Sequence, residues 1–292
     1  MSVLVATDLA HTTFPAIHMG ALIANARNTS LRLLHVVDFT GDDNAWRVLY
    51  ETADEIEHHA TQEATARLVA NYNDAVPENH HRAFSTTVRF GRPADGILEE
   101  AADQKPELIV VGTVGQSALQ DIFFGRTSNQ LVREAHLPVL AVPPTTAVGP
   151  IKRILVAADL SVCGDRALAT AKQYADLFGA SVDVIHAVDV DTNPPLSALV
   201  SPIQTRFDEL LDARRETLEQ HVTKAGLAGT KMHVEVGRPD RVITQAAKNT
   251  HADMIIMGTH GRQGFSRWFL GSTAERVLRS AETPTLVVSA PA

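Results

Sequence analysis

The chain repeats itself. "SVLVATDLA" at residues 2–10 returns as "RILVAADLS" at 153–161, and "LRLLHVVD" at 31–38 returns as "VDVIHAVD" at 182–189. "VRFGRPADGI" (88–97) matches "VEVGRPDRVI" (234–243), "ELIVVGTVG" (107–115) matches "DMIIMGTHG" (253–261), and "LPVLAVPP" (137–144) matches "TPTLVVSA" (283–290). The order is kept, at an offset of 146 to 151 positions, so two copies of one fold follow each other. A period of about 145 residues is domain-sized. The stretch "PPTTAVGP", 143–150, interrupts any regular element, which predicts domains at 1–144 and 150–292.

Within the second copy, apolar runs at 154–158, 182–188, 232–236, 254–257 and 285–289 are rich in Val, Ile and Leu. Such runs suit strands buried on both faces. Between them "CGDRALATAKQYADLFGA" and "LLDARRETLEQHVTKAG" space their apolar residues helically and end at glycine. Alternation of strand and helix implies a parallel sheet with helices on both faces. The fold class is therefore α/β: two tandem doubly wound, Rossmann-like domains, each with five parallel strands. Ligands in such sheets bind at the carboxyl ends of the strands, near a topological switch point.

One stretch lies on that edge in each copy: "GTHGRQGFSRWFLGSTAERV" at 258–277 and "GTVGQSALQDIFFGRTSNQL" at 112–131. Two readings fit it. In the first, Gly258 ends a strand, Gly261 turns the chain, and Ser272 with Glu275 forms a capping box. In the second, glycines let a phosphate approach the unpaired N–H groups of a helix start. Ser272 then adds a hydroxyl, and Arg262 is a candidate phosphate partner. The spacing matches neither G-x-x-x-x-G-K-[ST] nor G-x-G-x-x-G.

The set of motifs resembles the universal stress protein family, over nearly all of both copies. ATP-binding members of that family carry G-x2-G-x9-G-(S/T) after the fourth strand; Gly258, Gly261, Gly271 and Ser272 fit it. The resemblance also covers Asp159, the "HAVD", the "GRP" and the final "PTLVV". It implies that Asp159 faces the adenosine, that the backbone at Ala187 reads adenine, and that Ala157, Met257 and Gly258 line the same crevice. Gly261, Gly271, Ser272 and Thr273 match the phosphate end. A carboxylate at 159 accepts hydrogen bonds from ribose hydroxyls; capping the next helix is its other reading.

The first copy departs from the pattern at Arg126, where Ser or Thr is expected. Asp8, Val36, Gly112, Gly115, Gly125, Arg126 and Thr127 form a possible second site, with the helix cap moved to a Thr127–Gln130 box. Arg126 either binds phosphate or fills the pocket. The expectation is nucleotide in the second copy and weak or different binding in the first.

The resemblance implies an adenine-nucleotide-binding protein with a regulatory or stress-adaptation role, with ATP as cofactor and any Mg²⁺ held mainly by phosphates and water. Alternatives are a slow ATPase on the same fold and an interaction scaffold whose pockets hold another small molecule. No convincing catalytic set or metal motif stands out: there is no HExxH, and Cys163 is read as structural. Net charge −8 argues against nucleic acid as main partner. No apolar stretch approaches the roughly 20 residues of a membrane span, and one cysteine fits a cytoplasmic protein. Single-domain family members often dimerise through the last strand. The two copies are therefore expected to pair 139–143 with 285–289 as an intrachain pseudo-dimer, with a further homodimer still allowed. The segments 40–50 and 190–206 differ between copies, and 190–206 is a candidate flap with a solvated loop as its alternative.

Overall fold

The computed structural model describes residues 2–38, 52–114, 124–189, 201–259 and 270–289. The chain divides into two compact units, Met1–Val148 and Gly149–Ala292.

The first unit contains β1 (Ser2–Ala6), α1 (Phe14–Arg27), β2 (Ser30–Val37), α2 (Ala53–Ala75), β3 (Phe84–Phe90), α3 (Pro93–Gln104), β4 (Leu108–Gly112), α4 (Arg126–Glu134) and β5 (Val139–Val142). Its strands run β3-β2-β1-β4-β5, and each of these pairings is parallel. The second unit contains β6 (Arg153–Ala157), α5 (Val162–Phe178), β7 (Ser181–Val188), α6 (Ser201–Lys224), β8 (Lys231–Val236), α7 (Pro239–Thr250), β9 (Met254–Gly258), α8 (Ser272–Ser280) and β10 (Thr285–Val288). Its order is the same, β8-β7-β6-β9-β10, again all parallel. Each unit is thus a five-stranded doubly wound sheet.

The central strands are dry on both faces. Val3, Leu4, Val5 and Ala6 are buried, as are Ile154, Leu155 and Val156 and the run Met254–Met257. Helices α1 and α2 pack against each other, as do α3 and α4; α5 with α6 and α7 with α8 repeat this in the second unit. The candidate flap is partly helix: 201–206 fall in α6, while 190–200, like 40–50, lie outside the described residues. No helix among the described residues is long and apolar enough to cross a membrane.

The paired "GRP" segments are corners of the fold. Gly91 has φ +125° and Gly237 φ +147°, a region open to glycine and closed to most side chains. Their N–H groups donate to Val37 O (3.0 Å) and Val188 O (3.1 Å), and the prolines then start α3 and α7. Proline suits a first helical turn because its missing N–H would have no partner there.

Candidate functional site

In the second unit, β6 leads through α5 to β7 on one side, while β9 lies on its other side. The carboxyl ends of β6 and β9 therefore flank the point where the strand order reverses. Ala157 is in register with Met257, and Gly258 follows at the end of β9. Two helices start beside these strand ends, α5 after β6 and α8 after β9.

The corner after β6 is built by Asp159. Its Oδ1 accepts the Ser161 N–H (3.1 Å) and the Ser161 hydroxyl (2.6 Å). The helix cap is Ser161, not Asp159: Ser161 Oγ accepts the Gly164 N–H at 3.1 Å. Leu160, between them, takes φ +59°, and the matching Leu9 takes φ +65°. A left-handed leucine is costly, so this corner is held by its surroundings in both units. His186 on β7 donates from Nδ1 to Ala158 O at 2.7 Å, and His35 on β2 does the same to Thr7 O at 2.9 Å. These bracing histidines escaped the sequence reading, although each opens the recurring "HVVD" and "HAVD".

The two described glycines of the motif, Gly258 and Gly271, differ in kind. A Cβ on Gly258 would lie 2.6 Å from Cys163 Cβ, so this glycine lets α5 rest against the end of β9. Cys163 is buried there. Gly271 is different. It has φ −61° and ψ 143°, open to any residue, and it caps α8. The matching Gly125, at φ −66° and ψ 157°, could carry a Cβ at an ordinary 3.4 Å from Thr113 O. Backbone geometry does not require glycine at either helix start.

The described flanks of both stretches share the same backbone bond. The Gly271 N–H donates to Thr259 O (2.8 Å), and the Gly125 N–H to Thr113 O (2.7 Å). This closure overturns the two capping boxes expected from sequence. It starts each helix at the glycine, which puts Ser272 and Arg126 at the first helical position, where they make no cap bond. Glu275 pairs instead with Arg279 (3.0 Å), and Gln130 reaches Asp95 (3.1 Å) and Glu134 (3.2 Å).

Of the expected residues in the second unit, Ala157, Asp159, Ala187, Met257, Gly258, Gly271, Ser272 and Thr273 lie at carboxyl strand ends or the starts of the helices that follow them. Met257 is buried, Ser272 exposed, and the others half-buried. Gly261 and Arg262 lie outside the described residues, as does Gly115. In the first unit, Asp8, Val36, Gly112, Gly125, Arg126 and Thr127 occupy the matching places. Arg126 is exposed.

A family model described as the universal stress protein family matches residues 1–143 and again 150–289. The chain belongs to the universal stress protein family. A universal stress protein of Mycolicibacterium smegmatis is 27% identical over 298 residues, covering 98% of this chain and 96% of that protein. One of Mycobacterium tuberculosis is 28% identical over 276 residues, covering 92% and 90%. A universal stress protein of Methanocaldococcus jannaschii matches one half: 37% identity over 143 residues, 48% of this chain and 83% of that protein. Among solved structures, a universal stress protein of Archaeoglobus fulgidus superposes with TM-score 0.71 at 21% identity, covering 99% of this chain and 98% of that one. A functionally unknown protein of Pseudomonas aeruginosa gives 0.68 at 22%, covering 99% and 92%. These two likenesses concern the fold.

Burial of His35 is expected to make the first universal stress protein unit acid-sensitive. Burial is the largest influence and pushes the His35 pKa down; its hydrogen bond to Thr7 and the nearby Asp8 oppose this, and Arg67 adds to it. His18 is lowered too, by burial and then by His80. A histidine whose folded pKa lies below its unfolded value of about 6.5 adds stability above that pH. The contribution is lost as pH falls through the folded pKa. The melting temperature should therefore drop as pH is lowered from 7 to 5. His35→Gln should flatten part of that drop; an unchanged profile would remove His35 from the account.

Proposed function

We propose that the second unit binds an adenine nucleotide, ATP first, at the carboxyl edge between β6 and β9, and that occupancy serves a regulatory, stress-adaptive role. The observation that carries this reading is Gly271: a glycine capping a helix at the switch point, with a backbone that does not call for glycine. A missing Cβ there leaves room for a phosphate against the first amides of α8. The helix dipole favours the same charge. Ser272 and Thr273 add hydroxyls at the first turn, and Arg262 adds a cation in the preceding loop. Asp159 offers its carboxylate to ribose hydroxyls, with Ala157, Ala187, Met257 and Gly258 around the nucleoside. Gly261, which lies outside the described residues, belongs to the same glycine pattern. Mg²⁺ would be held by the phosphates and water, as suits a cation that keeps much of its hydration. Binding energy spent in this way shifts conformational or partner populations.

The family resemblance supports the reading, since the second unit carries the complete glycine–serine pattern and the first carries Arg126 in its place. The experiment is to denature purified protein and identify the released nucleotide with its molar ratio to chain. About one adenine nucleotide per chain is expected. No released nucleotide, followed by no heat on titration with ATP, would sink the proposal.

A further inference from the structure

The two units differ at the β–α corner by more than Arg126. In the first unit a relay of hydrogen bonds closes the corner: the Leu9 N–H donates to Thr7 Oγ1 (3.0 Å), Thr7 meets Thr13 Oγ1 (2.7 Å), and Thr13 donates to Ala10 O (2.7 Å). Because the Thr13 proton is used on Ala10, Thr7 is the donor between the two hydroxyls. Asn71 on α2 donates from Nδ2 to Leu9 O at 3.1 Å, and Ser128 on α4 donates to Gly112 O at 2.6 Å. All four side chains are buried, with exposures of 8% or less.

The second unit has none of these hydroxyls in the matching places; its own corner hydroxyl, Ser161, bonds one oxygen of Asp159 (2.6 Å), and the contrast with the first unit lies in the positions of Thr7 and Ser128 and in the Leu160 carbonyl. The β1/β6 match puts Ala158 where Thr7 stands, and the β4/β9 match puts Ala274 where Ser128 stands. Cys163 packs on Gly258 as Thr13 packs on Gly112. Among the described residues no side chain donates to Leu160 O as Asn71 does to Leu9 O.

A nucleoside brings hydroxyl and amine donors to such a corner and must find acceptors there. Where the acceptors are already bonded to the protein, it gains little and must disturb bonds already made. We propose that the Thr7 and Ser128 hydroxyls, with Thr13 and Asn71 in support, rather than Arg126 alone, make the first unit's corner self-sufficient and exclude the adenine nucleotide from it. This rests on the reading that the second unit binds that nucleotide.

The test is the number of ATP bound per full-length chain in equilibrium dialysis. Wild type should bind one. Arg126→Ser alone should also bind one, whereas Thr7→Ala/Arg126→Ser/Ser128→Ala should bind two. The reverse graft, Ala158→Thr/Ala274→Ser in the second unit, should weaken the single site at least about tenfold. This graft adds hydroxyls without removing a bond, so it decides the matter even if the triple variant folds poorly. Two ATP on wild type or on Arg126→Ser alone would overturn the inference. So would one ATP on a folded triple variant, or a graft that binds as wild type does. No ATP on wild type would instead overturn the function proposed for the second unit.

Discussion

Gly271→Val is expected to weaken ATP binding about a hundredfold, equivalent to about 2.7 kcal/mol, with little change in the fold. The effect is steric and local. Gly271 sits at φ −61° and ψ 143°, where valine is comfortable, and it makes no side-chain cap bond that could be lost. Valine is a poorer helix cap than glycine, while stiffening the unfolded chain works the other way, so the net effect on stability should stay within about 1 kcal/mol. The branched side chain would instead stand where a phosphate meets the first amides of α8. Gly258→Ala is the counter-case: its Cβ would lie 2.6 Å from Cys163 Cβ, so it should lower stability by about 1–3 kcal/mol through overpacking. Calorimetric titration with ATP, beside thermal melts of both variants, separates the two glycines. An unchanged affinity in a folded Gly271→Val protein would return the glycine stretch to a mere turn and cap.

The second large effect concerns stability of the first unit. Glu100 on α3 is 2% exposed and carries a full carboxylate into the layer between helix and sheet. Arg89 on β3 donates to its Oε2 at 2.7 Å, and Arg32 on β2 stands 3.5 Å from Oε1, close enough for attraction but without a hydrogen bond. Arg89 also reaches Asp103 (2.5 Å) and Glu99 (3.5 Å) at the exposed rim. Removing the buried member takes Arg89's partner on the core side and leaves it to Asp103 and Glu99, while Arg32 loses its attraction to Oε1 and keeps Thr87 and Gln104. Glu100→Ala should therefore destabilise the first unit by about 3 kcal/mol, at the low end for a broken buried pair because Asp103 still holds Arg89. Glu100→Gln, which keeps the volume, should cost less. The second unit has Ala246 in the matching place, with Asp183 and Glu235 where the arginines stand, so its hydrogen-exchange protection should not change. A loss spread equally over both units would contradict this account.

The fold was legible because the evidence for it came twice: each apolar run and each "GRP" could be checked against its copy. Helix starts were less legible. Ser272 and Thr127 both sit in good capping-box sequences, yet the caps are Gly271 and Gly125. A cap depends on where the chain enters the helix, and here that is set by bonds to Thr259 and Thr113, twelve residues back, which leave no local mark. The bracing by His35 and His186 was hidden for the same reason, since each reaches a carbonyl 28 positions away. Asn71 reaches Leu9 over 62 positions, a distance at which spacing carries no signal. Even so, Thr7 against Ala158 and Ser128 against Ala274 were visible once the copies were aligned. Arg126 drew attention because it broke a motif, whereas these substitutions broke none.

The backbone bond joining Thr259 to Gly271, and its twin joining Thr113 to Gly125, has an evolutionary consequence. Each ties the end of a strand to the start of the following helix. Between the twin anchors the copies read "VGQSALQDIFF" and "HGRQGFSRWFL", which share few residues, while the strands just before them remain close relatives. A lineage, or an engineer, can exchange such a cassette with little risk to the framework, and a duplicated chain then has two sockets to diversify independently.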